Sequence, residues 1–71
     1  MSAAEDRAKG AHLKAAARWL HEVGGKDATL EAFGDAEDLN RAWYALDVEG
    51  FRAYLWERCK TALEALEKGA A

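Results

Sequence analysis

"AWYALDVEGFRAYLW", residues 42–56, decides the fold because two apolar patterns meet inside it out of phase. At about 100° per residue, the apolar stripe that ends at Leu46 points roughly opposite to the stripe that begins at Val48. A single straight helix cannot turn both stripes to one core. Asp47 is a suitable N-cap for a new helix, and Gly50 tolerates a bend. The sequence therefore predicts two helices here, with one continuous buried helix as the alternative.

The rest of the chain is also predicted to be helical. It contains no proline, isoleucine or glutamine, few β-branched residues and many alanines, a composition that favours helix over strand. Seventy-one residues are enough for one domain, residues 1–71, near the lower size limit for an unaided core. We expect an all-α fold, a compact small helical bundle of three main helices and one short helix.

Capping signals place the first two helices. Ser2 and Glu5 fit a capping box for a helix over residues 3–23, which Gly24 would end in a left-handed conformation. A short helix follows, with Asp27 as its N-cap. It is expected to end at Gly34 and to bury Leu30 and Phe33. The apolar face of the first helix is predicted to contain His12, Leu13, Ala16, Trp19, Leu20 and Val23.

The last two helices lie on either side of Asp47. Asp35 is the expected N-cap of the third helix, and Glu37 and Asp38 occupy its first turn, where negative charge is favourable. Its predicted core residues are Leu39, Ala42, Trp43 and Leu46. The fourth helix ends near residues 68–69, and its apolar face contains Val48, Phe51, Leu55, Cys59, Ala62, Leu63 and Leu66.

The bulk properties favour a cytoplasmic protein. No apolar run approaches the roughly 18–20 residues that a membrane span needs. The N-terminus mixes acids and bases instead of presenting a signal peptide. A single cysteine, Cys59, agrees with a reducing compartment. We therefore expect no membrane association.

Charge is unevenly distributed along the chain. Residues 1–26 carry five bases and three acids, residues 27–50 one base and seven acids, and residues 51–71 four bases and three acids. An acidic middle segment repels phosphate, so direct nucleic-acid binding is disfavoured. The acids at Asp35, Glu37 and Asp38 are either caps and solvated surface or a feature that attracts a basic protein partner.

No pattern of residues predicts catalysis, a metal site or a cofactor. His12 and His21 lie on opposite faces of the first helix and cannot share an ion. Cys59 falls within an apolar stripe, where a thiol usually behaves as a small hydrophobe. Ser2, the only serine, is a predicted cap. The expected protein is not an enzyme.

Helical phase sorts the aromatic residues into core and surface. Trp43 and Phe51 fall inside apolar stripes, whereas Tyr44 points to the polar side of the third helix. Trp56 and Tyr54 lie on the two flanks of the last helix, near Arg52 and Arg58 respectively. Tryptophan, tyrosine and arginine dominate binding hot spots. The predicted contact residues are Tyr44, Tyr54, Trp56, Arg52, Arg58, Asp35, Glu37 and Asp38.

These features favour a small acidic interaction module that regulates or inhibits a larger basic protein, by hypothesis one that handles nucleic acid. Small acidic inhibitors encoded by phages are similar in size and charge. The alternatives are an accessory subunit of an enzyme complex, held by its apolar face, and a helix-turn-helix DNA-binding protein. Self-association as a homodimer through the alanine-rich first helix is compatible with each.

Overall fold

Three helices make up the part of the chain that the structure, a computed structural model, describes, which is residues 2–70. They are α1 (Ala3–Phe33), α2 (Ala36–Ala45) and α3 (Val48–Ala70). α1 is interrupted at Gly25, so residues 3–24 and 26–33 form two helical segments. The predicted all-α bundle of three main helices and one short helix is confirmed, and residues 2–70 contain no strand. Within this range, no helix combines the length and apolar character needed to cross a membrane.

The three predicted N-caps at Ser2, Asp35 and Asp47 are confirmed. Each side-chain oxygen accepts the backbone N–H of the residue three positions later, at 3.2, 3.2 and 2.7 Å respectively. These bonds satisfy amides that a helix start leaves without a partner. Asp47 caps the start of α3, and the chain breaks between α2 and α3. This break lets the apolar stripes of both helices face one core, as their helical phase predicts.

The break in α1 falls one residue later than predicted. Gly25, not Gly24, has the positive φ, with φ 77° and ψ −170°, a region that is essentially restricted to glycine. Asp27, the predicted cap, lies inside the second segment. Gly24 is needed for a different reason. A Cβ there would lie 2.5 Å from the Cβ of Ala28 and 2.8 Å from Cδ2 of Leu63, so only glycine lets these chains approach so closely.

The two segments of α1 fold back against each other and both pack on α3. Cys59 Sγ lies 3.8 Å from the carbonyl oxygen of Ala16, while the neighbouring Arg58 donates from Nε to the carbonyl of Ala32 at 3.1 Å. In a straight helix, Ala16 and Ala32 would be about 24 Å apart. The turn at Gly25 therefore brings both segments onto the same stretch of α3.

Small side chains form much of the core, so the helices lie close together. Trp43 and Phe51 close the core across the Asp47 break, with ring centroids 5.3 Å apart in an edge-to-face arrangement. Both were predicted to be core residues. The buried apolar residues are Ala16, Leu20, Ala28, Ala32, Ala42, Phe51, Leu55, Cys59 and Ala62.

Three apolar residues that were expected in the core are instead exposed. Trp19, Val23 and Leu30 are 41%, 54% and 56% exposed. In the first segment, the buried stripe is centred on Ala16 and Leu20, which leaves Trp19 and Val23 on its flank. In the second segment, alanines take the positions that face α3, and Leu30 points away from them.

Lys9 is buried, which the sequence did not predict. Only 1% of the residue is exposed, and Nζ donates to the carbonyl oxygens of Trp43 at 2.6 Å and Leu46 at 2.5 Å. Carbonyls in the last turn of a helix have no partner within it and carry partial negative charge. Lys9 therefore caps the C-terminus of α2 from a different helix and fixes α2 to α1.

The glycines of α1 provide a stability test. Gly25→Ala should cost about 1–3 kcal/mol because alanine is strained at this backbone conformation. Gly24→Ala should cost a similar amount, about 1–3 kcal/mol, through overpacking. Urea unfolding monitored by circular dichroism measures both.

Gly10→Ala is the matched control, because its Cβ would meet only Cη2 of Trp43, at an ordinary 3.8 Å. It should stabilise the helix by about 0.5–1 kcal/mol. A Gly25→Ala protein as stable as the wild type would contradict the described turn.

Candidate functional site

The predicted contact residues do not form one surface. The structure separates them into three groups, on α2, on one flank of α3, and on its opposite flank. These groups are Asp35, Glu37, Asp38 and Tyr44 on α2; Tyr54 and Arg58 on the first flank of α3; and Arg52 and Trp56 on the second. Each group has a different environment.

A groove between α1 and α2 contains the most exposed aromatic side chain of the molecule. Tyr44 is 70% exposed at its edge. The Trp43 ring lies near Gly10, where a Cβ would make an ordinary 3.8 Å contact with Cη2 of the ring. The groove has a volume of about 440 Å³, and we call it the acidic groove. It is lined by Asp6, Leu13, Phe33, Ala36, Leu39, Asn40, Trp43 and Tyr44.

The exposed charge around this groove is predominantly negative. Asp6 lines it, and Asp35, Glu37 and Asp38 stand at the N-terminus of α2. Arg41 forms ion pairs with Glu37 at 3.7 Å and with Asp38 at 3.5 Å, both largely exposed to solvent. Exposed pairs of this kind contribute little, about 0–1 kcal/mol. Negative charge therefore predominates among the exposed groups here, while the nearby cations Lys9 and Arg58 are bound to backbone carbonyls.

Glu37 belongs to the rim of the groove by helical phase. It precedes Tyr44 by seven positions, which is two turns, so both side chains stand on the same side of α2. Both residues are exposed. The two positions are about 10 Å apart along the helix axis, so a partner that covers two turns of α2 on this side meets both side chains.

Arg58 is used inside the fold. Its bond to the Ala32 carbonyl provides a donor for the last turn of α1, where Gly34 also donates its backbone N–H to Leu30 at 2.8 Å. A positive side chain at a helix C-terminus is favourable because the free carbonyls carry partial negative charge. The guanidinium thus joins α3 to the end of α1.

Tyr54 lies beside Arg58 and is partly buried. Its ring stacks on Phe51 with centroids 6.1 Å apart. Burial raises the pKa of the Tyr54 hydroxyl above its ordinary value of 10.0, Arg58 opposes the rise, and Asp38 and Asp35 add to it. Tyr54 and Arg58 therefore lie within electrostatic range of Asp35 and Asp38 at the N-terminus of α2.

Trp56 forms an exposed aromatic pair with Trp19. The ring centroids are 5.5 Å apart at 70°, and the two residues are 37% and 41% exposed. Leu63 lies in the same groove as both rings, and Val23 follows Trp19 by one turn. We call Trp19, Val23, Trp56 and Leu63 the tryptophan face. Trp19 was missed as a contact residue because its spacing matched the core stripe.

The groups that could take part in chemistry lie apart from one another. Cys59 is buried at the Ala16 carbonyl, and burial raises the pKa of its thiol, which favours the protonated form. His12 is half-buried and His21 is exposed. Within residues 2–70, no group of three or more His, Cys, Asp or Glu side chains could hold a metal ion.

Comparisons with known proteins find no relative: no family model, no curated protein and no solved structure matches the chain. The surfaces of the molecule are therefore the only guide to its function. Of these, the acidic groove combines partly buried apolar walls, an exposed aromatic ring and a predominantly negative charge.

The raised pKa of Tyr54 can be tested in Tyr44→Phe protein, in which Tyr54 is the remaining tyrosine. Tyrosinate absorbance should show a midpoint above 10.0 in the folded chain and a return to the ordinary value in urea. The folded chain favours the neutral phenol, so Tyr54 contributes to the free energy of unfolding. This contribution is fully present below about pH 10 and is lost as the pH rises through the folded pKa. Equal midpoints in the two conditions would contradict the described burial.

Proposed function

We propose that the chain is a non-catalytic protein-binding module that regulates or inhibits a larger partner with a basic surface. The observation that carries this proposal is the acidic groove. Its walls offer apolar surface, Tyr44 stands exposed at its edge, and the surrounding charges are negative. Hot spots combine a desolvated apolar anchor with aromatic contacts, and complementary charge raises the rate of encounter.

The shape of the groove favours a helical segment of the partner. Amphipathic helices bind grooves through apolar side chains at helical spacing. A large apolar side chain would contact Leu13 and Trp43, and lysines or arginines beside it would meet Asp6 and Glu37. Proteins that handle nucleic acid present such basic segments, which is why a partner of this class is part of the proposal.

A binding role also fits the position of the only thiol. Cys59 is protonated and buried, so it is unsuited to act as a nucleophile. A free thiol agrees with action in the reducing cytoplasm. These observations support the proposal without identifying the partner.

Two other functions compete with this proposal, and a homodimer could accompany it. An accessory subunit of an enzyme complex would use the tryptophan face, and its binding would change little with salt. Residues 26–33 and α2 resemble a helix-turn-helix in order, but Asp35 and Glu37 stand where a recognition helix would meet DNA, which disfavours that function. A homodimer is compatible with the proposed function, because it would form through the tryptophan face and leave the acidic groove open.

A defined probe tests the acidic groove. It is a helical peptide with leucines on one face and lysines on the other, compared with a peptide that has glutamate at every lysine position. We expect the lysine peptide to bind, to shift the backbone amide resonances of residues around the groove, and to weaken as salt rises. Tyr44→Ala and Glu37→Lys should each weaken binding about tenfold, which corresponds to about 1.4 kcal/mol.

Glu57→Lys is the matched control, because it makes the same change of charge at an exposed position of α3 that lines neither the acidic groove nor the grooves beside the tryptophan face. It should leave binding of the lysine peptide within about twofold of wild type, since exposed charges more than a Debye length apart, about 8–10 Å, are screened. The proposal would be refuted if the glutamate peptide bound as tightly as the lysine peptide. It would also be refuted if the control variant lost as much affinity as Glu37→Lys.

A further inference from the structure

The tryptophan face has no role in the proposed function and leaves two large rings in water. Trp19 and Trp56 pack edge to face, yet each remains more than one-third exposed. Val23 extends this apolar surface. Contiguous exposed apolar surface of this kind marks an interaction site more often than isolated apolar residues do.

Two grooves leave the tryptophan pair in opposite directions. The first segment of α1 runs parallel to α3, because Ala16 faces Cys59 and Gly24 faces Leu63. One groove follows α1 from Trp19 back to Ala11, about 12 Å along the helix axis. The other groove follows α3 from Trp56 forward to Glu67, about 16 Å along the axis.

The charges that line the two grooves are opposite in balance. The groove along α1 carries two bases and one acid, and the groove along α3 carries one base and two acids. A half-turn about an axis that passes the tryptophan pair, lies in the face and runs perpendicular to the two helices would therefore place each groove against one of opposite net charge. The charged lining residues are Lys14, Arg18 and Glu22 along α1, and Lys60, Glu64 and Glu67 along α3.

We infer that the tryptophan face binds a second copy of this chain in a two-fold symmetric dimer. A two-fold interface uses the same patch on both copies, so the patch must be complementary to itself. The tryptophan face with its two grooves meets this condition in charge. The acidic groove does not, because two copies would oppose like charges.

A stable dimer interface sets a minimum area for the surface that the two copies share. It buries about 800 Å² on each partner. That area is about one-sixth of the 4868 Å² accessible surface of the chain. The two grooves together extend about 28 Å along two adjacent helices, so an interface of that area also includes exposed residues beside them. The small side chains of Ala11 and Ala15 leave room beside Trp19 for a ring of the other copy.

Paired charge reversals test this interface while leaving the tryptophans in place. The basic-end variant is Lys14→Glu with Arg18→Glu, and the acidic-end variant is Glu64→Lys with Glu67→Lys. All four residues are exposed, so the fold should be retained. In a dimer of either variant, both groove contacts join like charges. In the mixed dimer of one chain of each, both contacts join opposite charges.

Sedimentation equilibrium over a range of concentrations measures the result. The wild type should dimerise, each variant alone should bind itself at least tenfold more weakly, and an equimolar mixture should recover dimers of wild-type affinity. The control mixes the acidic-end variant with Lys26→Glu and Arg41→Glu protein, which carries the same charge change outside both grooves.

A wild type that stays monomeric at millimolar concentration would overturn the inference and leave the face for a different protein. Dimers that neither variant weakens would also overturn it, because the interface would then lie elsewhere. Equal recovery of dimers in the control mixture would also overturn the inference, because it would show only a general attraction between oppositely charged chains.

Discussion

The buried ammonium of Lys9 is the interaction on which the placement of α2 depends. It donates to the carbonyls of Trp43 and Leu46, where α2 ends and the chain turns into α3. A buried charge is costly unless it is satisfied by hydrogen bonds, and a buried carbonyl without a donor costs about 1–3 kcal/mol. The carbonyls therefore provide acceptors for the buried ammonium, and the ammonium provides a donor for the carbonyls. Near the N-terminus of α2, Arg58 provides the same kind of donor to the carbonyl of Ala32 at the end of α1.

The two surfaces of the molecule follow from how its helices are held. Lys9 places α2 against the start of α1, and this forms the acidic groove and leaves Tyr44 at its edge. The turn at Gly25 brings residues 26–33 back against α3, so alanines occupy the core and Trp19 is left outside. Stability therefore depends on close backbone approach and capping at helix ends, and the large side chains at the edges remain available for binding.

Much of the fold follows from local signals in the sequence. The caps at Ser2, Asp35 and Asp47 could be predicted because each is a short-range bond between a side chain and an amide three residues on. The break between α2 and α3 could be predicted from phase alone. The burial of Lys9 could not, because its partners are carbonyls more than thirty residues away that no side-chain pattern reveals. Of the candidate contacts, helical phase predicted the exposure of Tyr44 but could not distinguish Trp19 from a core residue.

Hydrogen exchange of the backbone amides in Lys9→Met protein tests the central claim most directly. Without the ammonium, the α2 carbonyls lose their donor, and α2 should open locally before the rest of the bundle. We predict that α2 amides exchange at least about tenfold faster, equivalent to about 1.4 kcal/mol, while those of residues 51–62 in α3 keep their protection. Lys14→Met, an exposed position on the same helix, should change neither. Unchanged protection of α2, or equal loss in all helices, would contradict the account.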